Sequence, residues 1–144
     1  MDAPDRNERP VWEGRPALGY YFFLWFFVAI LGIRGIVSLW MEYTGSATIH
    51  LAGMAMLVLL GLFLRRTTRY RITRRAVSRS EGFFGGAERS FPISAIGSVR
   101  EQQGPLDRLL GCGEVTLYLK DGTRERLAGV KDPDIVSRKI AALL

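Results

Sequence analysis

Two long apolar segments, followed at once by a run of arginines, constrain this chain more than any other feature. Residues 17–33 and 47–64 are almost unbroken apolar runs, and residues 65–75 contain six arginines. An apolar segment of about 18 or more residues is long enough to cross a bilayer as a helix. Arginine is retained on the cytoplasmic side of such segments. The sequence therefore predicts a two-helix transmembrane hairpin over residues 17–64.

The charges around the hairpin predict its orientation. Residues 1–16 are polar, with mixed charge, and we expect a short disordered or interfacial cytoplasmic tail rather than a signal peptide, since no small-residue cleavage site follows the apolar run. The tail carries three arginines, and the turn at residues 41–46 carries no Lys or Arg. This pattern predicts a multi-pass protein of the cell inner membrane with both termini in the cytoplasm.

Small residues predict how the two helices pack. The first helix is expected from about Leu18 to about Trp40, with aromatic rings at both ends, and the second from near Ala47. Small side chains allow membrane helices to approach closely. In the second helix these are Gly53, Ala55 and Gly61.

Three polar residues fall near the non-cytoplasmic end of the hairpin. Arg34 is the one charge inside the first span, and Glu42 and His50 lie at a similar predicted depth. Either Arg34 extends its charge to the outer interface, or the three residues form an intramembrane polar cluster with a function.

The positive charge after the hairpin and the low cysteine content argue against a nucleic-acid-binding protein and a protein held together by disulfides or metal. From residue 65 onward there are sixteen Lys and Arg against nine Asp and Glu. Beside a membrane span, this excess of positive charge is better explained by cytoplasmic retention and attraction to anionic lipid than by nucleic-acid binding. The chain has one cysteine, Cys112, and one histidine. It therefore forms no internal disulfide, and we expect no metal and no cofactor.

Residues 65–144 change to the pattern of a small α+β domain. Alternation of apolar and polar residues predicts short strands, most clearly over residues 114–120, where Val115, Leu117 and Leu119 share one face. Asp121-Gly122 predicts a hairpin turn. A final helix is expected after Asp132 as N-cap and Pro133 as first residue. Its apolar face would carry Val136, Ile140, Leu143 and Leu144.

Three stretches in order resemble one known family. They are Tyr70-Arg71-Ile72-Thr73, then Gly82-Phe83-Phe84 with Phe91-Pro92-Ile93-Ser94-Ala95-Ile96, and finally the segment from Gln103 to Val115 with its Arg-Leu-Leu-Gly-x-Gly motif. The tract resembles the bacterial pleckstrin-homology-like (PH-like) domain of small membrane proteins. The resemblance implies an antiparallel β-sandwich or barrel closed by a C-terminal helix, membrane attachment and a binding role.

The last stretch, here called the signature loop, admits two interpretations. Its glycines allow the backbone to turn sharply into a strand, and its leucines could pack under the sheet, so the loop could be structural. It could also be a binding loop. The candidate residues are Leu106, Leu109, Leu110, Gly111 and Gly113.

The sequence favours a binding module over an enzyme, because it has no phosphate-binding or dinucleotide motif and no histidine outside the predicted spans. The leading hypothesis is a membrane-anchored scaffold that engages a protein partner or a second copy of itself. The alternatives are a sensor of anionic lipid headgroups and an accessory subunit of a membrane complex that uses the polar cluster. The candidate contacts with the membrane surface are Arg65, Arg66, Arg69, Arg71, Arg74 and Arg75.

Overall fold

The computed structural model describes residues 8–82 and 86–144, which form two compact units. One unit, here called the helical unit, is Tyr21–Arg65. The other, here called the domain, combines the chain up to Tyr20 with Arg66–Leu144. The helical unit is therefore an insertion within the sequence of the domain.

Two long helices make up the helical unit. A 3-10 turn, Leu18–Tyr21, leads into α1, Phe22–Trp40, and α2 follows over Thr44–Thr67. Leu18–Trp40 and Thr44–Thr67 are both long and apolar enough to cross a membrane, with a mean hydropathy of 2.2 each. The second helix begins before the predicted Ala47 and continues through the arginines, because arginine is a good helix former.

Glycines bring the two helices together. Gly35 and Gly61 are buried, and a Cβ atom added to either would lie 2.8 Å from a leucine methyl of the other helix. Contact at the predicted Gly61 is thus confirmed, and Gly53 faces Leu31. The prediction is wrong for Ala55, which is exposed.

The domain contains two antiparallel sheets. The first has the order β1-β2-β3-β4 and the second the order β5-β6-β7. The strands are β1 Trp12–Gly14, β2 Thr68–Ile72, β3 Ala76–Glu81, β4 Glu88–Pro92, β5 Ile96–Gln102, β6 Cys112–Leu119 and β7 Arg124–Lys131. Helix α3, Pro105–Leu110, joins β5 to β6, and α4, Pro133–Ala141, follows β7. The predicted α+β class is confirmed. The strand pairing within the described residues gives two separate sheets and not a closed barrel.

Strand β1 is the main departure from the sequence analysis. The prediction of a disordered or interfacial tail is wrong for this segment, because Trp12–Gly14 pairs antiparallel with β2 in the register Trp12↔Ile72 to Gly14↔Tyr70. Trp12 packs against the core, and Pro16 is fully buried. Burial of these two apolar side chains stabilises the pairing, although most other residues of the segment are polar.

The core lies between the two sheets and α4. Val136 and Ile140 of α4 are fully buried, and Leu143 packs against them, whereas Leu144 is 53% exposed and does not belong to the apolar face predicted for it. Pro133 is the first helical residue, as predicted. Asp132 occupies the N-cap position, as predicted, with φ of 49°, but its side chain makes no capping hydrogen bond.

The two isoleucines of α4 provide a matched test of this core. Ile140 is fully buried and Ile135 is 43% exposed. Ile140→Ala should lower the free energy of unfolding by about 2–5 kcal/mol, because it leaves a cavity, whereas Ile135→Ala should change it by under about 1 kcal/mol. Urea unfolding of the full chain in detergent measures both values. Equal effects would show that the face of α4 is assigned wrongly.

Candidate functional site

The six candidate arginines do not form one patch. Arg65 and Arg66 lie in the last turn of α2, while Arg69 and Arg71 alternate with buried Tyr70 and Ile72 along β2. Arg74 and Arg75 are exposed in the turn between β2 and β3. A strand rises by about 3.3 Å per residue, so this turn lies roughly 20 Å along the chain from the start of β2. The arginines therefore divide into groups at the two ends and on one face of this strand.

Two of these arginines have partners in the segment before β1. Arg71 Nη2 donates a hydrogen bond of 3.0 Å to the carbonyl oxygen of Glu8. Arg75 Nε lies 3.9 Å from Glu8 Oε1, with the arginine side chain 81% exposed. An exposed ion pair of this length contributes little stability, so Arg75 keeps its charge available to other anions.

The glycines of the signature loop have a structural role. Gly111 ends α3 in the left-handed conformation, with φ of 65°, which favours glycine. A Cβ atom on Gly113 would lie 2.9 Å from the carbonyl oxygen of Gln102. Gln103 Nε2 donates to the carbonyl oxygen of Cys112, and Asp107 Oδ2 accepts from the Gly104 N–H. These bonds fix the path of the chain from β5 into β6.

The leucines of the loop do not pack under the sheet as predicted. Leu106 is 39% exposed and Leu109 is 82% exposed. Only Leu110 is half-buried, and a Cβ atom on Gly19 would lie 2.7 Å from its Cβ. A helix of six residues presents too narrow an apolar face to bury all three leucines against one sheet.

The polar residues of the helical unit make a different contact from the predicted one. His50 Nδ1 lies 2.6 Å from the carbonyl oxygen of Ser46, and Ser46 Oγ lies 3.4 Å from Ser38 Oγ. Arg34 and Glu42 are exposed. Over residues 21–65, no hydrogen bond or ion pair joins Arg34 to Glu42 or His50. Serine is common in apolar helices, so the sequence gives no signal for Ser38 or Ser46.

Strand β5 is the longest open edge of the two sheets. Within the described residues it pairs only with β6, and five of its seven residues are exposed. Of the other edges, β1 has three residues, β4 has five and ends at Pro92, and β7 is partly occupied, since the carbonyl oxygen of Gly129 accepts from the Ala17 N–H at 2.7 Å. An open edge offers a row of backbone donors and acceptors to another chain.

One charged cleft of the domain is internally neutralised. Glu125, whose side chain is 13% exposed, lies 3.4 Å from Arg79 Nη1 and 3.7 Å from Arg89 Nη1. Arg79 also binds Glu81 and donates to the carbonyl oxygen of Arg126. Desolvation opposes the charge of Arg79, but the hydrogen bond with Glu81 and the neighbouring anionic groups raise its pKa. These bonds join β3 to β7 and hold the two sheets together.

A second cleft, of about 340 Å³, lies beside β1 and α4. Three cationic and two anionic side chains line it, so its net charge is only weakly positive. They are Arg15, Lys131, Lys139, Glu13 and Asp132. None of the arginines predicted as headgroup contacts belongs to this cleft.

The contact between Tyr20 and Gly129 is one that sequence reasoning missed. Tyr20 is one of the aromatic residues at the start of the first predicted span, where the sequence predicts a ring at the membrane interface. A Cβ atom on Gly129, which has φ of 68°, would lie 2.6 Å from the Tyr20 ring. The structure extends β7 through Gly129 to Lys131, and a glycine inside a strand commonly marks a close approach of another group.

The side chains give no sign of a metal centre or a reactive thiol. Within residues 8–82 and 86–144, no three His, Cys, Asp or Glu side chains come together as metal ligands. Cys112 is buried, and desolvation, with a smaller contribution from the charge of Asp107, raises the pKa of its thiol. A thiol with a raised pKa stays protonated and is a poor nucleophile.

Comparison with known protein families confirms the resemblance found in the sequence. The model of the family described as bacterial PH domain matches residues 18–143, which include the helical unit and most of the domain but not β1. Phe83 and Phe84 of the second matching stretch lie outside the described residues. The comparison with curated proteins gives no match.

Proposed function

Because the chain belongs to the bacterial PH domain family, we propose that it is a membrane-anchored binding module. In this proposal α1 and α2 anchor the protein in the cell membrane. The domain lies at the cytoplasmic face, where it engages a protein partner or a second copy of itself. It acts as a scaffold and not as an enzyme.

The open edge of β5 is the observation that carries the proposal. Extended peptides bind proteins by adding a strand to such an edge, with main-chain hydrogen bonds for affinity and side-chain contacts for specificity. The exposed residues of β5 include Arg100, Glu101 and Gln102. Glu101 already accepts a hydrogen bond of 2.7 Å from Ser137 of α4. Helix α4 would thus contribute to the wall of the binding surface.

The apolarity of the two helices supports the membrane anchor. Their spans are mostly exposed in the structure, with only 6% and 11% of the most apolar window buried. A core helix of a water-soluble protein buries most of its apolar surface, so the exposed rings and aliphatic side chains require another apolar environment. Lipid supplies it, and the arginines after the second span favour a cytoplasmic domain.

A sensor of anionic headgroups is the second candidate, and the cleft of about 340 Å³ favours it. Arg15, Lys131 and Lys139 could surround a phosphate there. Glu13 and Asp132 line the same cleft and oppose an anion. We therefore rank the sensor below the protein-binding module.

The orientation of the anchor is tested with reporters at two sites. A reporter fused after Leu144 should be active in the cytoplasm, and one inserted after Glu42, in the turn between α1 and α2, should be active outside. The reason is the arginine cluster after α2, which resists translocation. A reporter after Leu144 that is active only outside would reject a cytoplasmic binding module.

Two adjacent proline substitutions test strand addition at β5. Successive residues of an antiparallel edge strand direct their N–H groups alternately into the sheet and outward. Of Arg100→Pro and Glu101→Pro, one should therefore remove a hydrogen bond to β6 and destabilise the domain. The other should remove only an outward donor and leave the unfolding midpoint nearly unchanged.

The readout is photo-cross-linking in native membranes from a photoreactive residue in place of Ser98. The unsubstituted β5 should give a protein adduct, and the stable proline variant should lose it, because its outward donor is missing. A photoreactive residue in place of Asp121, in the turn between β6 and β7, is the control site. An adduct that persists in the stable proline variant would contradict strand addition, and adducts with lipid alone would favour the sensor.

A further inference from the structure

Two exposed leucines of α3 remain unexplained by the fold and by the β5 edge. Leu106 and Leu109 are three residues apart, so they lie on the same face of the helix. Leu109 is 82% exposed, although it belongs to the signature loop. A single exposed leucine is common on a protein surface. Whether this pair marks an interaction site therefore depends on where in the domain it lies.

The pair lies beside the point at which the chain passes into its first apolar helix. Leu110 contacts Gly19, the second residue of the candidate span Leu18–Trp40. The hydrogen bond from the Ala17 N–H to Gly129 and the Tyr20 ring against Gly129 hold this segment on the domain. Because Leu110 contacts Gly19, α3 lies beside the start of this candidate span.

The other side chains of α3 suit a membrane surface. Arg108 is exposed on the same short helix, while the carboxylate of Asp107 accepts a hydrogen bond from the Gly104 N–H. Leu18 and Tyr20 are each 48% exposed nearby. Apolar side chains flanked by a cation are the composition of helices that lie in the interface of an anionic leaflet.

We propose that Leu106 and Leu109 insert into the headgroup–acyl boundary of the leaflet that the chain enters at the start of α1. The leucine pair then forms a third membrane contact, besides the two spans, and fixes the orientation of the domain on the bilayer. This inference rests on the membrane anchor of the proposed function. It does not depend on the β5 edge.

Depth-dependent fluorescence quenching tests the inference on the full chain in vesicles of phosphatidylethanolamine and phosphatidylglycerol. A Cys112→Ala background carries one cysteine labelled with an environment-sensitive fluorophore, at Leu109→Cys, at Phe27→Cys within α1, or at Asp121→Cys. Spin-labelled lipids should quench the probe at position 109 about threefold more than the probe at 121, with shallow labels the most effective.

A second substitution separates insertion from mere proximity. Leu106→Asp should reduce quenching at position 109 about twofold or more, because a carboxylate opposes insertion into the interface, and it should leave quenching at position 27 unchanged. The matched control is Leu144→Asp, since Leu144 is 53% exposed at the far end of the chain. This control should leave both values unchanged.

The outcomes distinguish failure of the inference from failure of the anchor. Quenching at position 27 with a water-like probe at 109 would overturn the inference and leave the anchor standing. A blue-shifted probe at 109 that lipids do not quench would show that protein covers the leucines, which also overturns it. An unquenched probe at position 27 would reject the anchor itself, and with it the inference.

Discussion

The pairing of β1 with β2 is the interaction on which the rest of the structure depends. β1 precedes the two apolar helices and β2 follows them, so this pairing brings together the chain on both sides of a long insertion. The Ala17–Gly129 hydrogen bond and the Tyr20–Gly129 contact continue the same attachment toward α1. The chain before the helices is thus part of the domain.

This constraint connects the anchor with the proposed binding surfaces. The segment that leads into α1 packs on α3 through Gly19 and Leu110. Only two residues separate the end of β5 from the start of α3. A membrane contact through α3 would therefore orient the open β5 edge as well. In the proposed account, the signature loop serves binding indirectly, because its glycines set the path of the chain and its leucines set the orientation of the domain.

Patterns of local origin were predictable from the sequence. The apolar runs predicted the helices, and the alternation around Leu117 and the spacing of Val136 and Ile140 predicted core positions that are fully buried. Features that depend on contacts between distant residues were not predictable. Trp12 pairs with Ile72 across the whole helical unit, and Glu125 meets two arginines from the other sheet. Nothing in the local sequence of either residue specifies such a partner.

The most direct test of this account compares two soluble forms of the domain. In one, residues 8–20 are joined to residues 66–144 by a flexible linker in place of the helical unit, and in the other residues 66–144 stand alone. The joined form should be more stable to urea by roughly 2 kcal/mol or more, because it buries Trp12 and Pro16. Gly129→Leu should remove most of that gain, since its side chain would clash with Tyr20. Equal stability of the two forms would contradict the claim that the segment before the helices completes the domain.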